Sequence, residues 1–173
     1  MKFRKGPCRL LICLIAFAAL SACSGIADDT ATMFRSLADG EKAEAHFSVP
    51  MDDSTGIYTL SLIARFNKGE GPDSLIMNIT LTSPDNIRGS ETVTFPSGYY
   101  IIKRYVKDHP EDRRIMLAST PDYYDICWEY RSGIIPPVPG DWEIAITLPD
   151  SPEGLRGIGI TIKSEQHGKR QDT

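Results

Sequence analysis

Cys23 is the residue whose type and position point most directly to chemistry. A cysteine thiolate is a nucleophile, so a thiol in a suitable context can accept an alkyl group. The context here is the tetrapeptide Leu20-Ser21-Ala22-Cys23, which closes an uninterrupted apolar run at 10–20. Two small residues before a cysteine at this point of the chain predict that Cys23 is covalently modified.

Residues 1–22 have the organisation of an export signal. Three of the first five residues are basic, and the apolar run would span about 16 Å as a helix, roughly half of a bilayer core. That length is typical of a signal peptide. The tetrapeptide Leu20-Ser21-Ala22-Cys23 then resembles a lipobox, in which the thiol receives a diacylglycerol, the chain is cut before the cysteine and the new amine is acylated. We predict a signal peptide at 1–22 and lipid attachment at Cys23; a cleaved secretory protein without lipid is the alternative.

A lipidated Cys23 would anchor the protein without a transmembrane helix. One acyl chain binds a membrane only marginally, whereas three chains, at about 0.8 kcal/mol per buried methylene, give stable attachment. The next residue is Ser24. In enteric bacteria an aspartate there retains a lipoprotein in the inner membrane. By that analogy we expect the outer membrane, on either its periplasmic face or the cell surface.

The other cysteines do not support a disulfide in the mature chain. Cys8 and Cys13 lie in the predicted signal, which leaves Cys127 as the remaining free thiol. Its neighbours Ile126 and Trp128 are apolar, so we expect a buried thiol. A catalytic cysteine would need a positioned base, and the three histidines of the sequence show no spacing typical of such a pair.

The charge of the predicted mature chain bears on its partners. Removing the four basic residues of 1–22 from the 19 of the chain leaves 15 against 23 acidic residues, a net charge of −8. An acidic domain without a basic stripe is unsuited to nucleic acid and gains nothing from anionic lipid. We expect contact with the membrane through the lipid anchor, contact with other envelope proteins and no nucleic acid. The sequence does not indicate an oligomeric state.

No other pattern carries recognisable catalytic or metal chemistry. Clustered zinc ligands, alternating acids for calcium and the G-x-S-x-G, H-E-x-x-H and Walker patterns are missing from the sequence. We expect no enzyme activity, no cofactor and no metal. Two carboxylates that meet only in space could still hydrolyse glycosides. Trp128 and Trp142 could form a sugar-stacking surface, although their alternation with polar residues favours core packing.

Alternating apolar and polar residues, typical of half-buried strands, recur along 41–165. The strand-like stretches are 43–49, 57–66, 75–82, 91–95, 99–106, 114–118, 124–130, 142–148 and 158–162. Turn residues separate them roughly every 8–15 positions, without a long helical period. We predict an all-β domain, a single antiparallel β-sandwich of immunoglobulin-like or jelly-roll-like type with about eight or nine strands.

The segments on either side of this domain are predicted to be irregular. Residues 23–40 are small, polar and acidic after the cysteine and form a predicted flexible tether, with a helical turn possible in 30–37. Residues 166–173 form a polar C-terminal tail. Gly157 and Gly159 interrupt the last strand. They predict a sheet face on which a neighbour packs closely, rather than a phosphate loop, because no helix follows them.

Two segments resemble the gliding-motility lipoproteins of the GldH type. The first, 60–84, is an alternating strand that ends in Arg65-Phe66-Asn67, followed by a bend with proline and a second apolar strand. The second is a closing hairpin at 140–144 and 155–163, a Gly-aromatic strand and then a Leu-x-Gly-Ile-like strand. The spacing in Gly157-Ile158-Gly159 is shorter than in the family, and the middle of the chain matches weakly.

The resemblance implies an envelope lipoprotein of the Bacteroidetes. In gliding members this type is required for motility and is linked to the machinery that also secretes proteins across the outer membrane. The family has no known catalytic residues, so none is transferred. The resemblance favours a non-enzymatic accessory component of an envelope complex. A cell-surface module that binds a glycan or a protein is the alternative.

Overall fold

The structure, a computed structural model, describes residues 30–38 and 40–165. Its elements in chain order are β1 (Thr30–Ser36), β2 (Glu44–Met51), β3 (Ile57–Asn67), β4 (Ser74–Thr82), β5 (Arg88–Pro96), α1 (Tyr99–Asp108), β6 (Ile115–Ser119), β7 (Tyr123–Ile134), β8 (Gly140–Thr147) and β9 (Leu155–Glu165). Within this described part, no helix has the length and apolar character needed to cross a membrane. The predicted signal peptide, the lipobox Leu20-Ser21-Ala22-Cys23 and the tail 166–173 lie outside the described residues.

The strands form two antiparallel sheets that share one hydrophobic core. The five-stranded sheet has the order β1-β9-β3-β7-β6, and the four-stranded sheet has the order β2-β8-β4-β5. Every pairing between neighbouring strands is antiparallel. The prediction of an all-β antiparallel sandwich is confirmed, with nine strands among the described residues.

Alternation along each strand decides which side chains form the core. In β3 every second residue from Tyr58 to Phe66 is buried, and in β4 the buried residues are Leu75, Met77 and Ile79. A fully buried Leu, Ile or Phe contributes about 1.5–3 kcal/mol relative to an exposed one. Because a slip of one residue would turn these side chains outwards, their burial also fixes the register of the strands.

The two ends of the sandwich differ in what they carry. At one end, called the Thr30 end, β1 begins with Thr30 opposite Lys163, and Tyr58, the second residue of β3, lies opposite Ser164. Three loops also lie there: 52–56, 83–87 and 135–139. At the opposite end, called the Ser36 end, β1 finishes and helix α1 starts. The chain therefore enters the fold at the Thr30 end.

Strand β1 corrects the predicted extent of the tether. Residues 30–36 are an edge strand paired with β9, rather than part of an irregular tether or a helical turn. Side chains of β1 contribute little to its stability, since Met33 alone among them is partly buried. Leu37, the residue directly after the strand, is buried in the core. The backbone pairing with the open edge of β9 holds β1, and an apolar pattern does not report that contribution.

Helix α1 corrects the predicted strand at 99–106. Tyr99, Ile102 and Val106 lie three and four positions apart, so a helix places them on one face, and Ile102 is 1% exposed in the core. The helix starts directly after Gly98, whose carbonyl accepts a 3.0 Å hydrogen bond from the Ile102 amide. It connects β5, the edge of one sheet, to β6, the edge of the other. The predicted strand at 114–118 is confirmed as β6.

Candidate functional site

The outer face of the five-stranded sheet carries an organised set of exposed and half-buried side chains. Residues that are direct partners in neighbouring strands point to the same face, so the register defines rows across the sheet. One row consists of Phe34, Gly159, Ile63, Cys127 and Met116. The adjacent row consists of Ser36, Gly157, Arg65, Asp125 and Ala118. Each row contains one residue from each of the five strands.

The two glycines of β9 make room for the ring of Phe34. A Cβ added to Gly157 would lie 2.3 Å from Cζ of Phe34, and a Cβ added to Gly159 would lie 2.7 Å from its Cδ2. The backbone of β1 is equally close, since the carbonyl oxygen of Met33 would stand 2.8 Å from a Cβ at Gly159. The prediction of a sheet face on which a neighbour packs closely is confirmed, and that neighbour is β1.

Arg65 lies between an aromatic ring and a carboxylate. Its Cζ is 4.8 Å from the centroid of the Phe34 ring, within the range of a cation–π contact. Its Nε and Nη2 donate hydrogen bonds of 2.7 and 2.8 Å to Oδ1 and Oδ2 of Asp125. This bidentate pairing holds the planar guanidinium in one orientation. Phe34, Arg65 and Asp125, called the Phe34 stack, thus present a fixed, partly solvent-exposed surface.

An open groove of about 490 Å³ adjoins the Phe34 stack. It lies beside β6, with the end of helix α1 and the loop 109–114 on its other side, and is called the β6 groove. Its apolar lining consists of Ile63, Val106, Pro110, Ile115, Met116, Leu117, Ala118 and Cys127. Its polar lining consists of Asp112, Arg113 and Asp125. The groove is apolar along its base and charged at its rim.

Cys127 lies in the base of this groove and is half-buried, not fully buried as the sequence predicts. Burial raises the pKa of its thiol, and a hydrogen bond with the Ser61 side chain acts in the opposite direction. No histidine is among the described residues that line the groove. His46 instead contacts Glu44, and His109 contacts the carbonyl of Tyr105. The thiolate is therefore disfavoured at this position.

The loop that forms the rim of the groove is held by Asp112. Tyr105 in α1 donates a hydrogen bond of 2.6 Å to Oδ2 of Asp112, and Arg114 donates from Nε and Nη2 at 3.0 and 2.8 Å. The hydrogen bonds from Arg114, followed by that from Tyr105, lower the pKa of Asp112. One carboxylate thus connects the helix, the loop and the start of β6, which fixes the position of the rim.

The carboxylates of the groove are unsuited to glycoside hydrolysis. That reaction needs one carboxyl group that stays protonated near neutral pH, which requires a raised pKa. Asp112 has a lowered pKa, and Asp125 is bound in a bidentate pair with Arg65. Among the described residues, no group of three or more His, Cys, Asp or Glu side chains is arranged to hold a metal ion.

The two tryptophans do not form an exposed stacking surface. Trp128 is buried, packs at 5.2 Å from Phe95 and donates its indole N–H to the carbonyl of Pro96 at 2.9 Å. Trp142 is partly buried, and its indole N–H donates to the carbonyl of Val138 at 3.0 Å. Core packing, the favoured interpretation of their alternation, is confirmed for Trp128.

No protein-family model and no curated protein matches this chain. The assignment of a site therefore depends on the residues themselves. The predicted lipid attachment site, Cys23, lies outside the described residues. Of the residues that the sequence singles out inside the fold, the structure brings Gly157, Gly159 and Cys127 to the same face of the sheet. The Phe34 stack and the β6 groove are not predicted from the sequence.

Proposed function

We propose that this chain is a non-enzymatic outer-membrane lipoprotein, anchored through Cys23, whose sandwich binds another envelope protein. The β6 groove beside the Phe34 stack is the observation that carries the proposal. An apolar centre with a charged, ordered rim is the composition of a protein-binding surface. The complex it joins is of the gliding or secretion type, as the resemblance to the gliding-motility lipoproteins implies.

The shape of the groove supports a protein partner over a small molecule. The groove is open along β6, and Met116, which is 47% exposed, stands at its edge. Methionine and arginine are enriched in protein interfaces, because a flexible thioether adapts to a partner and a planar guanidinium stacks and pairs at once. Arg65 is already held in one orientation by Phe34 and Asp125, so a partner that packs on it orders few side chains.

Affinity purification tests the proposal. The full chain with a C-terminal tag is expressed in its native host, extracted from membranes in mild detergent and analysed by mass spectrometry. We expect one envelope protein in stoichiometric amount. Recovery of the lipoprotein alone would contradict the proposal.

A matched pair of substitutions assigns the partner to the groove. Met116→Lys places a charge at the edge of the groove, and we expect partner recovery to fall about tenfold, the ratio that corresponds to 1.4 kcal/mol. Ile76→Lys is the control, because Ile76 is also 47% exposed but lies on the other sheet, in β4. The control variant retains the partner. Equal recovery with the two variants would exclude the groove as the binding surface.

A further inference from the structure

We infer that the Thr30 end of the sandwich is a membrane-contacting surface, on which Ile87 and Ile135 insert into the interfacial region of the lipid bilayer. The inference rests on the lipid anchor of the proposed function and extends it, because it assigns an orientation and a second, apolar contact. It is independent of which protein occupies the β6 groove.

The first argument is the length of chain between the anchor and the fold. Thr30, the first residue of β1, is the seventh residue after Cys23. Seven residues, fully extended, reach at most about 25 Å. The opposite end of the sandwich is farther away by the length of the strands, about 35 Å for the 11 residues of β3. The Thr30 end is therefore the end of the fold that the anchor holds near the bilayer.

The second argument is the pair of exposed isoleucines at this end. Ile87 is 70% exposed in the loop 83–87, and Ile135 is 59% exposed in the loop 135–139. The two loops lie next to each other, since a Cβ added to Gly140, directly after the second loop, would lie 3.1 Å from Cγ of Pro84 in the first. The two loops thus expose one isoleucine each on the same end of the sandwich, and exposed isoleucines are favoured in the interfacial region of a membrane.

The third argument is that these loops leave few backbone N–H donors unpaired. The Ile87 amide donates to Oγ of Ser83 at 3.0 Å, and its carbonyl accepts from the Ser83 amide at 2.9 Å. The loop 135–139 contains three prolines, which have no amide hydrogen to leave unpaired. Insertion of Ile87 and Ile135 would therefore strand few backbone N–H donors away from water.

The charges at this end exclude an electrostatic mechanism. The exposed acids there are Asp52, Asp53, Asp85, Asp141 and Glu143. The basic residues there are Arg88, Arg131 and Lys163, and Arg131 is paired with Glu91. Anionic lipid would not attract this surface. The contact depends on apolar insertion, and on vesicles of neutral lipid we expect it to be insensitive to salt.

Quenching by lipids tests the inference on the full lipidated chain. The protein is purified from membranes and reconstituted into vesicles of phosphatidylethanolamine and phosphatidylcholine that contain a doxyl-labelled phosphatidylcholine. In a Cys127→Ser background, single cysteines replace Ile87, Ile135 or Tyr100 and carry a fluorophore. Tyr100 is the control, because it is 78% exposed but lies in α1, whose first residues are at the Ser36 end.

We expect several-fold stronger quenching at positions 87 and 135 than at position 100, unchanged in high salt. Equal quenching at all three positions, or loss of the difference in high salt, would overturn the inference. Flotation of the vesicles tests attachment through the lipid anchor separately from the orientation of the domain. Protein that floats without selective quenching overturns the orientation alone, whereas protein that does not float overturns both the anchor and the inference that rests on it.

Discussion

Phe34 of β1 lies directly over Gly159 of β9, its partner in the register, so closely that a methyl group at Gly159 would be 2.7 Å from the ring. The same methyl group would be 2.8 Å from the carbonyl oxygen of Met33. A side chain at this position therefore conflicts with both the ring and the backbone of the edge strand. The glycine is required for β1 to pair with the rest of the sheet.

Gly159→Ala should destabilise the fold by displacing β1 from β9. Overpacking of this kind costs about 1–3 kcal/mol, and for a domain of this size each kcal/mol lowers Tm by about 2–4 °C. Thermal unfolding followed by circular dichroism measures the change. Gly89→Ala is the control, since a Cβ at Gly89 in β5 meets nothing within 4 Å. Equal Tm values for the two variants would show that β1 does not pack on β9 as described.

Ile102→Ala should weaken the packing of helix α1 on the core. Ile102 is 1% exposed, and truncation of a buried isoleucine to alanine costs about 2–5 kcal/mol. The neighbouring variant Ile101→Ala removes the same atoms from a side chain that is 48% exposed and should change stability by much less. Urea unfolding of both variants measures the difference. A larger loss for Ile101→Ala would mean that the helix is rotated relative to the structure, or that the segment is a strand.

The two corrected segments show where the sequence predicts the fold and where it cannot. Strands such as β3 and β9 are predicted because one buried face imposes a period of two on the apolar residues. Strand β1 has almost no buried side chains, so its pairing with β9 leaves no apolar period. In α1 the aromatic and β-branched residues favour a strand, and the tertiary contact of Ile102 with the core overrides that preference.

The candidate site is less predictable for a related reason. Arg65 and Asp125 are 60 positions apart in the chain, and only the register of β3 and β7 makes them partners. The β6 groove depends on where the loop 109–114 and the end of α1 lie, which the apolar pattern does not specify. Gly157 and Gly159 are the sequence feature that points to this face, because glycines in a strand indicate a closely packed neighbour. They do not indicate which element that neighbour is.

Cys127 should react slowly with iodoacetamide in the folded protein. Burial favours the neutral thiol and raises its pKa, so at pH 8 the thiolate fraction is smaller than for an ordinary cysteine. We expect the rate to rise about tenfold per pH unit and to keep rising above the pH at which an exposed thiol levels off. The control is the same protein unfolded in urea, measured by mass spectrometry. Equal rates in the folded and unfolded states would contradict the burial of Cys127.

Cys23→Ala should abolish lipid attachment. Cys23 is the predicted acceptor of the acyl chains, and no basic cluster in the acidic mature chain would restore attachment to anionic lipid. Metabolic labelling with a palmitate analogue measures lipid incorporation, and membrane fractionation measures attachment to the membrane. Cys127→Ala is the matched control and should be labelled like the wild type. Label in the Cys23→Ala protein, or none in the wild type, would remove the basis of the anchor.

The position of β1 determines how the fold would respond to force. A chain anchored at Cys23 and bound to a partner on the outer sheet face carries any tension between them through β1, along the strand axis from the Thr30 end. The hydrogen bonds between antiparallel strands run perpendicular to that axis. Seven residue pairs between β1 and β9 would therefore be sheared together instead of being unzipped one after another. With Cys23 as the anchor, the pairing of β1 with β9 would therefore let the sandwich bear force applied from the membrane.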